Sequence, residues 1–222
     1  MFLDALRDAR ALLFPVDCAG CGLHDRALCD ECRAILVPFV TPRAAAGLTV
    51  YSALRYEGVV RRVILALKEE GRTDVAVALS APFSAAIDAA LARSPQAELV
   101  RVPRGRVSYR ARGYDPLQLL LRRAGRGRAT GLVSMRRTRA QKTLGIDERR
   151  GNIVGTLAPT RDFEGRDIVL IDDVLTTGAT LGEAARAVSE GSGSVVGAAV
   201  LAFTPRLQGI RDIRLGEDYG GA

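Results

Sequence analysis

A single histidine, His24, stands in a chain of 222 residues, and that scarcity excludes several chemistries. A Ser-His-Asp or Cys-His hydrolase needs an imidazole base, and a His-Glu-x-x-His protease needs two. An enzyme built on this chain would work by positioning and charge, or through carboxylates. Long apolar runs are missing as well: the longest, Val195 to Phe203, is far below the ~20 residues of a membrane helix. Asp4 and Asp8 lie where a secretory signal would be basic and then apolar. A cytoplasmic location without membrane insertion is therefore expected. Apolar residues at 48% and charged residues at 26% exclude a disordered chain. The length suits one α/β domain carrying a small appendage.

Lysine is nearly absent: of 32 basic residues only Lys68 and Lys142 are lysines. The net charge of +7 is uneven, because residues 101–150 hold 15 basic residues against Asp115, Asp147 and Glu148. That segment alone carries +12, so the remainder of the protein is mildly acidic. Such a stretch attracts phosphate, whether on a small anionic substrate or along a nucleic acid backbone.

Phe2, Leu6, Ala9 and Leu13 recur at helical spacing up to Pro15, which predicts an amphipathic helix over 1–14. From about residue 48, strands and helices alternate. Strands are expected at 49–55, 98–102, 131–135, 167–171 and 195–202, and helices at 58–69, 74–92, 115–124 and 178–190. That alternation implies a parallel sheet with helical crossovers. The expected division is an N-terminal helix and cysteine module over 1–47, an α/β domain over 48–205 and a loosely held tail over 206–222.

All four cysteines fall between residues 18 and 32, as Cys18-Ala-Gly-Cys21 and Cys29-Asp-Glu-Cys32. Two C-x2-C pairs can wrap one ion, so four thiolates converge tetrahedrally on zinc without a large scaffold. Disulfides are disfavoured in a reducing cytoplasm, and a redox C-x-x-C needs no second pair beside it. Four sulfurs close the coordination sphere, so the expected zinc is structural. His24 reads as a solvated loop residue.

The richest segment runs from Ile168 through Asp172, Asp173, Thr176, Thr177, Gly178, Ala179 and Thr180 into a helix-prone stretch. An apolar strand delivers two carboxylates at its carboxyl end, where open α/β sheets bind ligands. A small-residue loop then enters a helix N-terminus. Backbone N–H groups, threonine hydroxyls and the helix dipole converge there on phosphate. The carboxylates suit sugar hydroxyls and a nearby magnesium ion. A phosphate beside a diol describes ribose 5-phosphate.

Joined at this spacing, the acidic pair and the loop resemble the phosphoribosyl pyrophosphate signature of type I phosphoribosyltransferases. The cysteine quartet in front of such a domain is similar to the competence protein F (ComF) family. Tyr56-Glu-Gly58, Lys68 and Gly71, Val102-Pro103 with Arg112-Gly113-Tyr114, and Thr138 to Gln141 with Leu144, Arg149 and Asn152 also resemble that family's blocks. The matches span about residues 12–203. The implied fold is α/β, a type I phosphoribosyltransferase parallel sheet flanked by helices, with a small N-terminal zinc-binding module. There are two departures from the family pattern: Asp115-Pro116 stands in place of Asn-Gln. Thr176 stands where purine-salvage relatives carry an aspartate that assists the base.

The resemblance implies binding of phosphoribosyl pyrophosphate with magnesium. Residues Thr176 to Thr180 would hold the 5-phosphate, Asp172 and Asp173 the ribose hydroxyls, and Arg104, Arg112, Arg137 and Arg149 are candidates for the pyrophosphate. If transfer occurs, the activity is that of a phosphoribosyltransferase, a glycosyltransferase. The alternative, from a different class, is a non-catalytic factor of DNA uptake in natural competence, with single-stranded DNA and the import helicase as partners. In that reading the basic segment, Arg123, Arg126 and Arg128 included, follows the DNA backbone. Tyr109 and Tyr114 are the aromatics inside it, a poor platform for base stacking.

Overall fold

A computed structural model describes residues 16–24, 26–103, 113–127, 129, 131–135 and 154–205, and the backbone of 211–212. The expected helix at 1–14 lies outside the described residues. The described elements, in chain order, are α1 (Asp30–Ala34), β1 (Thr41–Ala45), β2 (Leu48–Arg55), α2 (Gly58–Glu69), a 3-10 turn (Thr73–Val75) and α3 (Ala76–Leu91). They continue with β3 (Glu98–Arg101), α4 (Pro116–Arg123), β4 (Leu132–Ser134), β5 (Leu157–Pro159), β6 (Asp167–Leu175), α5 (Ala179–Glu190), β7 (Ser194–Phe203) and β8 (Arg211–Asp212).

Six strands form the main sheet in the order β3-β6-β7-β2-β1-β8. The four from β3 to β2 are parallel, whereas β1 runs antiparallel to both β2 and β8. The sheet is therefore mixed, not purely parallel as the alternation suggests. Thr-Pro-Arg-Ala-Ala has neither the apolar alternation nor the β-branched content of a strand, so β1 is illegible locally. It forms because a tight turn at Ala46 and Gly47, both with positive φ, folds it back along β2. The strand expected at 131–135 is the short β4, which leaves the main sheet and pairs antiparallel with β5. Of the tail, the described part is the backbone of 211–212, hydrogen-bonded to β1.

Val169 and Ile171 of β6 face one core, and Ile168 and Leu170 face the other, as the pleat requires. The first core is covered by α2, α3 and α4. Along α2, Val60, Val63, Ile64 and Leu67 are buried at i, i+3, i+4 and i+7. Cys18, Leu28, Cys29, Cys32 and Leu36 belong to this same core, so the cysteine module packs onto the domain. The second core holds Leu181, Ala184 and Val188 of α5 with the fully buried Phe163.

Thr73–Leu91 has the length and mean hydropathy (19 residues, 1.4) of a membrane span, and half of that window is buried inside the protein. Leu79, Phe83 and Ile87 pack into the first core, which accounts for its apolar composition. Asp115 caps α4 by accepting the Gln118 N–H at 3.1 Å, with Pro116 at the first helical position. Its carboxylate also lies 2.6 Å from Arg101 Nη1. Asp115-Pro116 thus starts a helix and ties it to the end of β3.

Candidate functional site

In the cysteine module, the four sulfurs lie within 4.8 Å of one another, and no disulfide joins them. Cys21 Sγ and Cys29 Sγ are 3.7 Å apart, close to the roughly 3.8 Å edge of a tetrahedron with Zn–S bonds of about 2.3 Å. Backbone N–H groups point at the sulfurs: Gly20 N and Cys29 N lie 3.4 Å from Cys18 Sγ, and Cys32 N lies 3.5 Å from Cys29 Sγ. Burial opposes ionisation of Cys18, but backbone donors from Cys29, Cys21 and Gly20 bring its thiol down to about 6. Burial and the neighbouring thiols push Cys32 up. Cys18 therefore ionises more easily than Cys32, and a cation would compensate the charge of further thiolates. The donor set and spacing fit a tetrahedral thiophilic ion.

Gly20 is required by space: a Cβ there would lie 2.5 Å from Cys32 Sγ and 3.0 Å from a Val59 methyl of α2. Two arginines hold the module to the domain. Arg62 Nε donates to Gly20 O, and Arg72 donates to Asp17 O at 3.0 Å and Ala27 O at 3.3 Å. His24 stays exposed, with Nδ1 2.7 Å from Asp17 Oδ1, outside the sulfur cluster.

The second constellation lies at the carboxyl end of the parallel strands. β6 does not stop at Ile171, as the polar pair suggests, but runs to Leu175, with Asp172 opposite Val200 and Leu175 opposite Phe203. Asp172 and Asp173 thus lie inside a strand, 9% and 5% exposed. Successive side chains point to opposite faces, so Asp172 takes the α5 side and Asp173 the α2 side. Asp172 Oδ1 accepts the Asp173 N–H at 2.8 Å. Lys68, in the last turn of α2, places Nζ 3.2 Å from Asp173 Oδ2, with both side chains largely buried. The hydroxyl of Tyr114 donates to Leu67 O and so fastens that turn.

Beyond Leu175 the chain passes through exposed Thr176 and Thr177 to buried Gly178, the N-cap of α5. Gly178 has φ +81°, and a Cβ on it would lie 3.1 Å from the Ala45 Cβ. A left-handed backbone packed against the β1–β2 turn admits glycine alone without strain. Thr177 Oγ1 accepts the Ala179 N–H at 3.3 Å, and Ala179 and Thr180 are exposed. The loop thus turns its backbone toward solvent at the positive end of α5.

Glu183, one turn further, joins α5 to the β4–β5 ribbon. Its buried carboxylate accepts Leu157 N–H at 2.9 Å and Arg186 Nε at 2.7 Å, while Arg186 Nη2 donates to Leu157 O at 2.9 Å. Hydrogen bonds from Arg186 outweigh burial and hold Glu183 down at about 2.

Cys18, Cys21, Cys29 and Cys32 come together, and the acidic pair adjoins the loop of Thr176 to Thr180. Arg104, Arg112, Arg137 and Arg149 lie outside the described residues. β3 leads through Pro103 into the segment holding Arg104 and Arg112, and Val102 N–H bonds Ile171 O at 2.9 Å, beside the acidic pair. Of the arginines expected on a DNA track, Arg123 is exposed, Arg128 lies outside the described residues, and Arg126 is engaged with Asp88 and Ser84. The motif reading names Lys68 without joining it to Asp173, and the Glu183–Arg186 clasp escapes it altogether. For Lys68 a signal existed in its being one of two lysines.

A family comparison covers this region of the chain. The model of the phosphoribosyl transferase domain matches residues 110–213, which include β6, the loop and α5. A phosphoribosyltransferase domain is therefore present over part of the chain, behind a four-cysteine cluster able to bind a metal. No curated protein sequence matches the chain.

Proposed function

We propose that the protein binds phosphoribosyl pyrophosphate with magnesium and carries a structural zinc in its cysteine module. The observation that carries this reading is one juxtaposition: buried Asp172 and Asp173 lead directly into the Gly178 loop at the N-terminus of α5. The family match covers these residues.

The 5-phosphate takes the backbone donors of Thr176 to Thr180. Asp172 and Asp173 accept hydrogen bonds from the ribose hydroxyls, and Arg104, Arg112, Arg137 and Arg149 serve the pyrophosphate. Magnesium suits a site with one or two carboxylates that shares the ion with substrate phosphates, and it would neutralise charge on the departing pyrophosphate. The protein's own part is to orient the sugar and exclude water from the anomeric carbon. In the cysteine module, zinc would take all four thiolates and stabilise the fold.

A four-cysteine module ahead of this domain favours the ComF family and its role in DNA uptake. Calorimetric titration with phosphoribosyl pyrophosphate, with and without magnesium, tests the binding. One saturable site strengthened by magnesium is expected. No heat and no thermal shift under either condition overturns the reading.

A further inference from the structure

We infer that Lys68 is an internal counter-ion of the acidic pair, a positioning residue that lowers the negative charge met by an incoming pyrophosphate and lessens the site's demand for a divalent cation. The inference rests on the sugar-phosphate reading above and deepens it. Two adjacent carboxylates, 9% and 5% exposed, would repel each other and any anionic ligand. The Lys68 ammonium, its side chain 14% exposed, lies 3.2 Å from Asp173 Oδ2 and places a positive charge against the pair.

Its delivery is rigid. Val60, Val63, Ile64 and Leu67 bury the inner face of α2, and Tyr114 holds the carbonyl of the residue before Lys68. The residue type adds to the argument, because 30 of the 32 basic residues are arginine. A compact ammonium puts its charge at one point beside one oxygen, whereas a guanidinium needs a planar fork of acceptors.

Magnesium alone and phosphoribosyl pyrophosphate are titrated by calorimetry into wild-type protein, Lys68→Met and Lys68→Arg, with thermal melts alongside. Lys68→Met should bind magnesium at least about tenfold more tightly, since removing one positive charge beside the pair strengthens its attraction for a divalent cation. Without magnesium its affinity for the sugar pyrophosphate should fall at least about tenfold, and saturating magnesium should restore most of the loss. Lys68→Arg should follow wild-type in magnesium affinity.

A lower melting temperature with unchanged magnesium affinity and unchanged ligand affinity makes Lys68 structural and overturns the inference. If Lys68→Met does not fold, Lys68→Gln removes the same charge while keeping a polar group beside Asp173. Its magnesium affinity should rise at least about tenfold, and an affinity unchanged from wild-type overturns the inference. Wild-type protein that binds no sugar pyrophosphate defeats the function proposed above, and the magnesium titrations still decide the role of Lys68.

Discussion

The cysteine module and the acidic strand end both gather groups that repel one another when ionised, and they are assembled in opposite ways. The module draws its four sulfurs from residues 18–32, so a short chain closes around them at little entropic cost. Ionising all four thiols would need a compensating charge from outside, as a cation. At the strand end the carboxylates are neighbours, but Lys68, their partner, comes from a helix more than a hundred residues earlier. Its compensating charge is built into the fold. The module should therefore depend on metal for its structure, and the strand end on packing.

Metal removal gives the largest expected effect. Purified protein should hold one zinc, and chelation should cost several kcal/mol locally. Hydrogen exchange should then rise over 16–40 before it rises in β6 and β7, although the shared core carries part of the loss into α2. Far less than one equivalent of metal, with intermolecular disulfides in its place, would remove the module's half of the comparison.

Asp173→Asn should destabilise the fold by about 3 kcal/mol, because it leaves a largely buried ammonium without its carboxylate. Asp172→Asn should cost less than about 1 kcal/mol, while both weaken sugar binding. Equal urea midpoints for the two variants would show that the faces of β6 do not matter. Replacing both acids therefore tests binding cleanly only where the fold is monitored separately.

Glu183→Gln should cost up to about 3 kcal/mol at neutral pH. The Glu183 carboxyl is held at about 2, below its ordinary value of 4.5, so its contribution is complete above about 4.5. It is lost as pH falls toward 2. Stability of wild-type and variant should converge over that window, and parallel curves would assign the acid sensitivity elsewhere. Gly178→Val should cost about 1 to 2 kcal/mol for a side chain at positive φ, less than the changes at Asp173 and Glu183. This variant should nevertheless lose sugar-phosphate binding, and retained binding measured by calorimetry would displace the phosphate from the loop.

Much of the fold was legible because most helices and parallel strands carry strong local periodicity: helix 58–69 matches α2, and 194–203 lies within a residue of the expected strand at each end. Short β1 and β5 carried no such pattern and owe their pairing to the strands beside them. The end of β6 was misread for a related reason. Asp172 and Asp173 look like the close of an apolar strand, yet pairing with β7 continues for four residues past Ile171.

The site divides along the same line. Local pattern was enough to bring the cysteine quartet together and to set the Thr-Thr-Gly-Ala-Thr loop at a helix N-terminus, since residue spacing and helix starts are short-range properties of the chain. Only the folded sheet could decide that Asp172 and Asp173 point to opposite faces, that the β1–β2 turn packs against Gly178, and that Lys68 reaches Asp173. Each of those depends on register and helix docking between segments far apart in sequence, which no local pattern encodes.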